Sequence, residues 1–178
     1  RLAAGKRIDH SIRAFVAADV PRTRFEIWGD GPERARIAAL IDELGVGDRV
    51  ALCGSTTDPA AVFARASLFV TATAFEGQGL SIVEALASGV PAVSYDVRFG
   101  PGDILAGGGG VLVADGDEAA LTQAIRTLLT DEHERARLAG EARGSAEAWS
   151  DEAAMRALAN VMRDVLAAPA RRSTRRAR

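Results

Sequence analysis

The chain has one cysteine, two histidines, two methionines and one tyrosine in 178 residues, and only 5% of it is aromatic. A single thiol, Cys53, excludes a disulfide framework and a cysteine-based zinc site. It sits in the apolar run "RVALCG", where a small buried residue is a simpler reading than a reactive thiol. His10 and His133 are flanked by helix-type polar sequence, with no spacing pattern for metal ligation or nucleophilic catalysis. Both are expected at the surface. No apolar run approaches the roughly 18 residues that a membrane span requires, and the opening residues carry no signal-peptide pattern. The first residue is Arg1 rather than methionine, which suggests a fragment.

What is present reads as a globular domain. Hydrophobic residues make up 48% and charged residues 26%, and the length suits one domain with a substantial core. The net charge of −2 conceals an asymmetry. The last eight residues, "RRSTRRAR", hold five arginines; without them 17 basic residues stand against 24 acidic ones, or −7. This tail follows "AAPA" without apolar periodicity, so residues 169–178 read as disordered and 1–168 as the domain. A solvated end or an inter-domain tether is the simpler reading of the tail. No nucleic-acid partner is expected, and peripheral contact with a membrane is left open.

Short apolar runs alternate with amphipathic ones. "KRIDHSIRAFVAA" places Ile8, Ile12, Phe15 and Val16 on one helical face. "RFEIW", "RVALCG", "SLFVTAT", "PAVSYD" and "GGGGVLVAD" read as five strands. Between them lie the helix "RARIAALIDEL", stopping at Gly45, the short helix "PAAVFARA", the helix "LSIVEALAS", stopping at Gly89, and a brief turn of helix in "GPGDIL". The remainder is helical, over roughly Asp117–Thr130, Asp131–Ala148 and Ser150–Ala167. In the last helix Met155, Leu158, Val161, Met162 and Val165 recur at helical spacing, which core packing explains most simply. Strands alternating with crossover helices predict a parallel, Rossmann-like α/β sheet with helices on both faces. Ligands in such sheets bind at the carboxyl ends of the strands. The glycine-bearing turns "GDGP", "CGST", "FEGQGLS" and "YDVRFGPGD" all follow strands. A strand expected before the first turn is missing.

Three turns carry the candidate chemistry. In "RLAAGKRID", Arg1 and Lys6 precede a helix, where two cations and the helix field favour an anion such as a diphosphate. An exposed basic turn is the plainer alternative. In "GDGPE", Gly29, Asp30 and Gly31 let backbone approach a flat or charged ligand, although Asp30 could instead cap the next helix with Pro32 in its first turn. In "FEGQGLSIVEALASGVP", Glu76 and Glu84 flank the turn Gly77-Gln78-Gly79. That turn aims amides at a helix start and makes an anion site. Ser81-x-x-Glu84 also reads as a capping box, and Glu76 as a solvated loop acid. Carboxylates beside a phosphate site make sense only if they meet neutral hydroxyls, which donate to carboxylate oxygens. Phosphates in the middle with hydroxyls at both ends describe a nucleotide sugar.

Taken together, "RLAAGKRID", "EIWGDGPER", "FARASLFVTATAFEGQGLSIVEALASGVPAVSYD" and "FGPGDIL" resemble the C-terminal half of family 4 retaining glycosyltransferases, which have the GT-B fold. The likeness runs in order from Arg1 to about Leu166. It implies two Rossmann-like domains facing across a cleft, the C-terminal one binding the nucleotide-sugar donor. It implies that Arg1 and Lys6 hold the donor diphosphate, that Glu76 contacts the donor sugar, and that Glu84 binds the ribose hydroxyls. The amides around Gly79 and Leu80 would lie against the phosphates, with Gly77 and Gln78 of the same turn also among the donor-binding residues. The "GDGPE" turn and the "CGST" loop at Gly54 would line the nucleoside pocket. Neither a metal nor another cofactor is implied, because cationic side chains and amides neutralise the leaving group.

Gln78, where many members carry an aromatic residue, and "SYDVRFGP" are similar to the subgroup that glycosylates polyol-phosphate polymers such as teichoic acid, or protein serines. The implied donor is UDP-glucose or UDP-N-acetylglucosamine, the implied acceptor a hydroxyl, and the implied setting the bacterial cytoplasm. The resemblance also implies an N-terminal acceptor domain outside these residues, onto which the final helix often crosses back, so that part of its apolar stripe would be exposed in this chain and favour self-association. The chain alone is therefore expected to bind donor poorly and to transfer nothing. The alternative is a non-catalytic nucleotide-sugar-binding or interaction module.

Overall fold

The parallel α/β alternation is present in the computed structural model, which describes residues 1–167. The arginine-rich tail, 169–178, lies outside them. A short 3₁₀ turn, Ala4–Lys6, leads into α1 (Ile8–Ala18), β1 (Phe25–Trp28), α2 (Arg34–Leu44), β2 (Val50–Gly54) and α3 (Pro59–Phe63). Then come β3 (Phe69–Thr71), α4 (Leu80–Ala87), β4 (Ala92–Asp96), α5 (Pro101–Leu105) and β5 (Gly110–Ala114). Three helices follow: α6 (Glu118–Thr130), α7 (Glu132–Glu147) and α8 (Asp151–Ala167). The helix boundaries have local causes. Asp58, Asp117 and Asp131 each accept a backbone N–H two to three residues into the helix they precede. At the end of α2, Gly45 turns left-handed, and the N–H groups of Gly45 and Val46 return to the carbonyls of Asp42 and Ile41.

All strand pairs are parallel, but the ladders divide in two. β1 pairs with β2, with Ile27 opposite Leu52, and β3, β4 and β5 form a separate sheet with β4 in the middle. Among the described residues no ladder joins β1 to β3. β4 is buried along Ala92–Tyr95, as a strand covered on both faces must be. Val93 and Tyr95 face one core with Ala14 and Ala18 of α1 and Leu121 and Ile125 of α6. Ala92 belongs to another core, with Leu86 of α4, Ile104 of α5 and Ala142 of α7. Ile12 and Phe15 of α1 join Ile27, Ile37 and Ile41 in a third. The helix α1 thus reaches both sheets. It is clamped to α6 by Arg126, whose guanidinium donates to the carbonyls of Ala17 and Ala18 at 2.7 and 2.8 Å.

Four sequence expectations are corrected. α8 is not a core helix: none of its residues is buried, and Met155, Leu158, Val161, Met162 and Val165 are all exposed. The period identified the apolar face but not whether anything covers it. His10 is not a surface residue; its ring is half-buried, with Nδ1 3.1 Å from the Tyr95 hydroxyl and 3.3 Å from a Glu118 carboxylate oxygen. Cys53 is half-buried rather than buried, and burial pushes its thiol pKa up, so the thiol stays protonated. β3 is also shorter than "SLFVTAT". After Thr71 the backbone leaves the strand, and the Ala74 N–H donates to the carbonyl of Gly5 at 2.8 Å.

Candidate functional site

The turns that follow the strands gather at the strands' carboxyl ends, where they border a cavity of about 930 Å³. Arg1, Leu2 and Lys6 reach it from the chain's opening turn, Gly29 and Asp30 from the end of β1, Ser55 and Thr56 from the end of β2, and Ser81 and Glu84 from α4. The opening turn is held in place by backbone. The Leu2 N–H donates to the Asp30 carbonyl at 2.9 Å, and the Glu33 N–H to the Leu2 carbonyl at 3.2 Å. Gly31 makes this approach feasible, since a Cβ there would lie 2.3 Å from the Leu2 carbonyl oxygen. Across the top of the two β1–β2 strand ends, the Gly29 N–H donates to the Gly54 carbonyl at 2.6 Å.

Asp30 does not cap α2. Its carboxylate accepts the N–H of Gly31 at 2.7 Å, the N-cap is Glu33, and Pro32 lies before the helix. Asp30 is exposed and borders the cavity, free to meet a ligand. The capping-box reading of Ser81 and Glu84 is also overturned. The N-cap of α4 is Gly79, with a left-handed φ of 80° and no side-chain cap, which leaves Glu84 exposed on the cavity wall. The N–H groups of Ile82 and Val83 turn back to the Gly79 carbonyl. Those of Leu80 and Ser81, at the start of the helix, have no protein acceptor among the described residues.

The two acids differ in their surroundings. Glu76 accepts from Lys6 Nζ at 2.5 Å and is mostly shielded from solvent. Gly79 and Gly100 press on its side chain: a Cβ on either would lie 3.6 or 3.4 Å from Glu76 Cγ. The structure therefore brings Lys6 and Glu76 together, sets Arg1 and Glu84 on the same cavity, and leaves Gly77 and Gln78 exposed on the outer side of the turn.

Thr73 is a residue that the sequence reading missed. It is fully buried, and its hydroxyl lies 2.6 Å from the Phe75 carbonyl and 3.2 Å from that of Gly5. It ties the loop that carries Glu76 to the turn that carries Lys6. A threonine inside "FVTATAF" is also what any strand edge would offer, so its spacing gave no distinguishing signal. Arg7 was missed likewise; it adopts a left-handed φ of 42° and bonds Asp115 at 2.6 Å across the end of β5. Among the described residues, no group of three or more histidine, cysteine or acidic side chains could hold a metal ion. No helix among them is long and apolar enough to cross a membrane.

Residues 1–145 match the family model described as glycosyl transferases group 1. Among curated proteins, the chain is similar to the exopolysaccharide phosphotransferase SCO2592 of Streptomyces coelicolor, at 42% identity over 74% of this chain and 14% of that protein. It is similar to the poly(glycerol-phosphate) alpha-glucosyltransferase of Bacillus subtilis, at 33% identity over 84% of this chain and 23% of that protein. The chain thus spans less than a quarter of either relative's length. Among solved structures, it is similar to a point mutant of S. aureus TarM in complex with fondaparinux, alpha-GlcNAc-glycerol and UDP. There the TM-score is 0.84 at 28% identity, over 90% of this chain and 34% of that one.

Proposed function

The chain belongs to the group 1 glycosyl transferases, and from that premise we propose that it forms the donor-binding half of a family 4 retaining enzyme that moves a hexose or N-acetylhexosamine from a UDP-sugar to a hydroxyl acceptor. The observation that carries this reading is the convergence of Arg1, Lys6, Ser81 at the open start of α4, and Glu84 on one cavity at the strand ends. Cations and helix-start amides suit the diphosphate. Glu84 and Asp30 are acceptor-only groups suited to ribose and base donors. Glu76, paired with Lys6, is assigned a hydroxyl of the donor sugar.

As the glycosidic bond breaks, charge builds on the departing UDP. Lys6, held beside Glu76, and Arg1 stabilise that charge without a metal. The leaving diphosphate then takes the proton of an acceptor that attacks from the same face of the sugar, so the anomeric configuration is kept. Acceptor contacts come from a second domain outside these residues, and this stretch alone transfers nothing. The UDP in the TarM complex and the polyol-phosphate acceptor named for the B. subtilis relative support UDP-glucose or UDP-N-acetylglucosamine as donor and a polyol-phosphate polymer as acceptor. A bacterial cytoplasmic setting follows from such donors.

The test is a titration of the folded chain with UDP, GDP and ADP up to millimolar concentration, followed by amide chemical shifts. Selective shifts from UDP at Gly29, Asp30, Leu80 and Ser81 are expected. Equal response to all three nucleotides, or shifts elsewhere, would sink the reading. A second reading has one observation in its favour: the S. coelicolor relative is named a phosphotransferase, and the matched stretch is 14% of it. In such a polypeptide this domain would be a nucleotide-sugar-binding module without transfer activity of its own. UDP release from UDP-glucose by the full-length protein, dependent on added poly(glycerol phosphate) and lost in Lys6→Met, separates the two.

A further inference from the structure

The large apolar side chains left exposed are not scattered. Apart from Leu44 and the outer face of α8, those among the described residues are Phe75, Leu80 and Phe99. Phe75 and Phe99 lie in the segments that leave β3 and β4, and Leu80 opens α4. The two segments touch: a Cβ on Gly100 would stand 3.4 Å from Glu76 Cγ and 3.4 Å from the Gln78 carbonyl oxygen. Beside that contact, Phe75 is 69% exposed and Phe99 49%. Exposed rings grouped at the edge of a ligand site mark a surface that a partner covers.

The charges around the rings define what fits there. Arg98 is exposed, and its guanidinium carbon lies 4.9 Å from the centre of the Phe99 ring. Among the described residues no carboxylate pairs with it. A guanidinium held over a ring keeps a planar fork of N–H donors for the two oxygens of a phosphate. Asp96 and Asp103, before and after it on the same segment, are exposed as well. They are acceptor-only groups that repel an unbroken row of negative charge, such as an anionic membrane, and accept from hydroxyls. The partner therefore alternates phosphate with hydroxyl and offers C–H groups to the rings. A polyol joined by phosphodiesters has all three.

The placement agrees with the chemistry. Lys6 and Glu84 border the 930 Å³ cavity, whereas Phe75, Arg98 and Phe99 lie outside its lining. Glu76 connects the two regions, bonded to Lys6 on one hand and lying against Gly100 on the other. We propose that Phe75, Arg98 and Phe99 form an acceptor-binding lip for a phosphodiester-linked polyol, with Arg98 on a phosphate and the rings against the carbon backbone. The lip begins where the donor sugar ends, at Glu76, so a hydroxyl of the bound polymer is delivered to the edge of that sugar. It adds to the acceptor contacts of a second domain and gives this domain a share in acceptor choice. This inference rests on the polyol-phosphate reading of the acceptor.

The test is calorimetric titration of the full-length protein, saturated with UDP, with a short glycerol-phosphate oligomer. Arg98→Gln should weaken oligomer binding by about tenfold or more, as for a lost charge-assisted hydrogen bond, and make the remainder less sensitive to salt. Phe99→Ala should weaken it several-fold and Phe99→Tyr preserve it, because the ring face is what the polyol covers. UDP affinity should stay within about twofold in all three variants, since none touches the donor cavity. Oligomer binding that is absent, that is indifferent to Arg98→Gln, or that inorganic phosphate matches would overturn the proposal. So would a lower melting temperature in Arg98→Gln, which would mean that this surface packs within the protein. Failure of the unsubstituted protein to bind UDP sinks the donor reading instead, and the oligomer titration without UDP then decides the lip by the same criteria.

Discussion

Lys6 Nζ lies 2.5 Å from Glu76 Oε2, so a lysine on the cavity wall is neutralised by a carboxylate seventy residues away. If Lys6 serves a diphosphate, the carboxylate competes with the ligand for that ammonium. Substituting the two residues should therefore have opposite effects on UDP binding. Lys6→Met is expected to weaken it by about tenfold or more, the loss of one charge-assisted hydrogen bond. Glu76→Gln should leave it unchanged or tighten it a few-fold. Their coupling in a thermal double-mutant cycle should be small, roughly 0.2–1 kcal/mol, because the pair is partly solvated. Calorimetric titration reads the binding, and weakening by both variants would contradict the competition.

Glu84 offers a cleaner separation of roles. It lies outside any capping box and is exposed, so Glu84→Gln should change stability by no more than about 0.5 kcal/mol. The loss in UDP affinity is expected to be about tenfold, as for a hydrogen bond to a charged group. A fall in melting temperature with binding intact would restore a purely structural role.

Two glycines of one turn should behave differently. Gly77 has nothing within 4 Å of a built Cβ and no left-handed φ, so Gly77→Ala is expected to be close to neutral. Gly79 has φ 80°, and its Cβ would lie 2.7 Å from Ile104 Cδ1. Gly79→Ala combines left-handed strain with overpacking and should cost about 2 kcal/mol or more. Urea denaturation of the two variants decides this, and equal midpoints would refute the geometry.

The alkaline behaviour follows from Tyr95. Its ring is fully buried, and burial, with Glu118 nearby, pushes the phenol up to about 12 from the ordinary value of 10.0. The native state thus keeps a proton that the unfolded chain gives up between pH 10 and 12. Because the unfolded state binds fewer protons in that window, stability is full below it and falls as pH rises through it. Tyr95→Phe should flatten that part of the decline. The chain has one tyrosine, so phenolate absorbance reports this residue alone. Native ionisation near pH 10 would refute the burial argument.

α8 presents Met155, Leu158, Val161, Met162 and Val165 to solvent. Replacing Leu158, Met162 and Val165 by glutamine should leave the thermal midpoint almost unchanged, since no buried contact is lost. It should also reduce concentration-dependent association in sedimentation, because the exposed apolar patch is broken up. A clear drop in midpoint would mean that the stripe packs within the chain.

Local physics made much of this readable in advance. The sequence pattern placed α6 to α8 to within a residue or so, and glycine stops marked the ends of α2 and α4, because such stops act within a few positions of themselves. The parallel pairing of the strands and the clustering of glycine turns at strand ends followed from the βαβ alternation alone. Only tertiary structure could decide the rest. Whether Glu84 caps a helix depended on Gly79 taking the N-cap with a left-handed φ of 80°, at a point where Ile104 leaves no room for a Cβ. That Thr73 ties Gly5 to Phe75, and that Lys6 meets Glu76, depends on a fold that closes distances of about seventy residues. The apolar face of α8 was visible as a pattern, while its exposure was suggested only by the resemblance and not by the pattern itself. Periodicity records which side of a helix is apolar, and only neighbouring elements determine whether that side is buried.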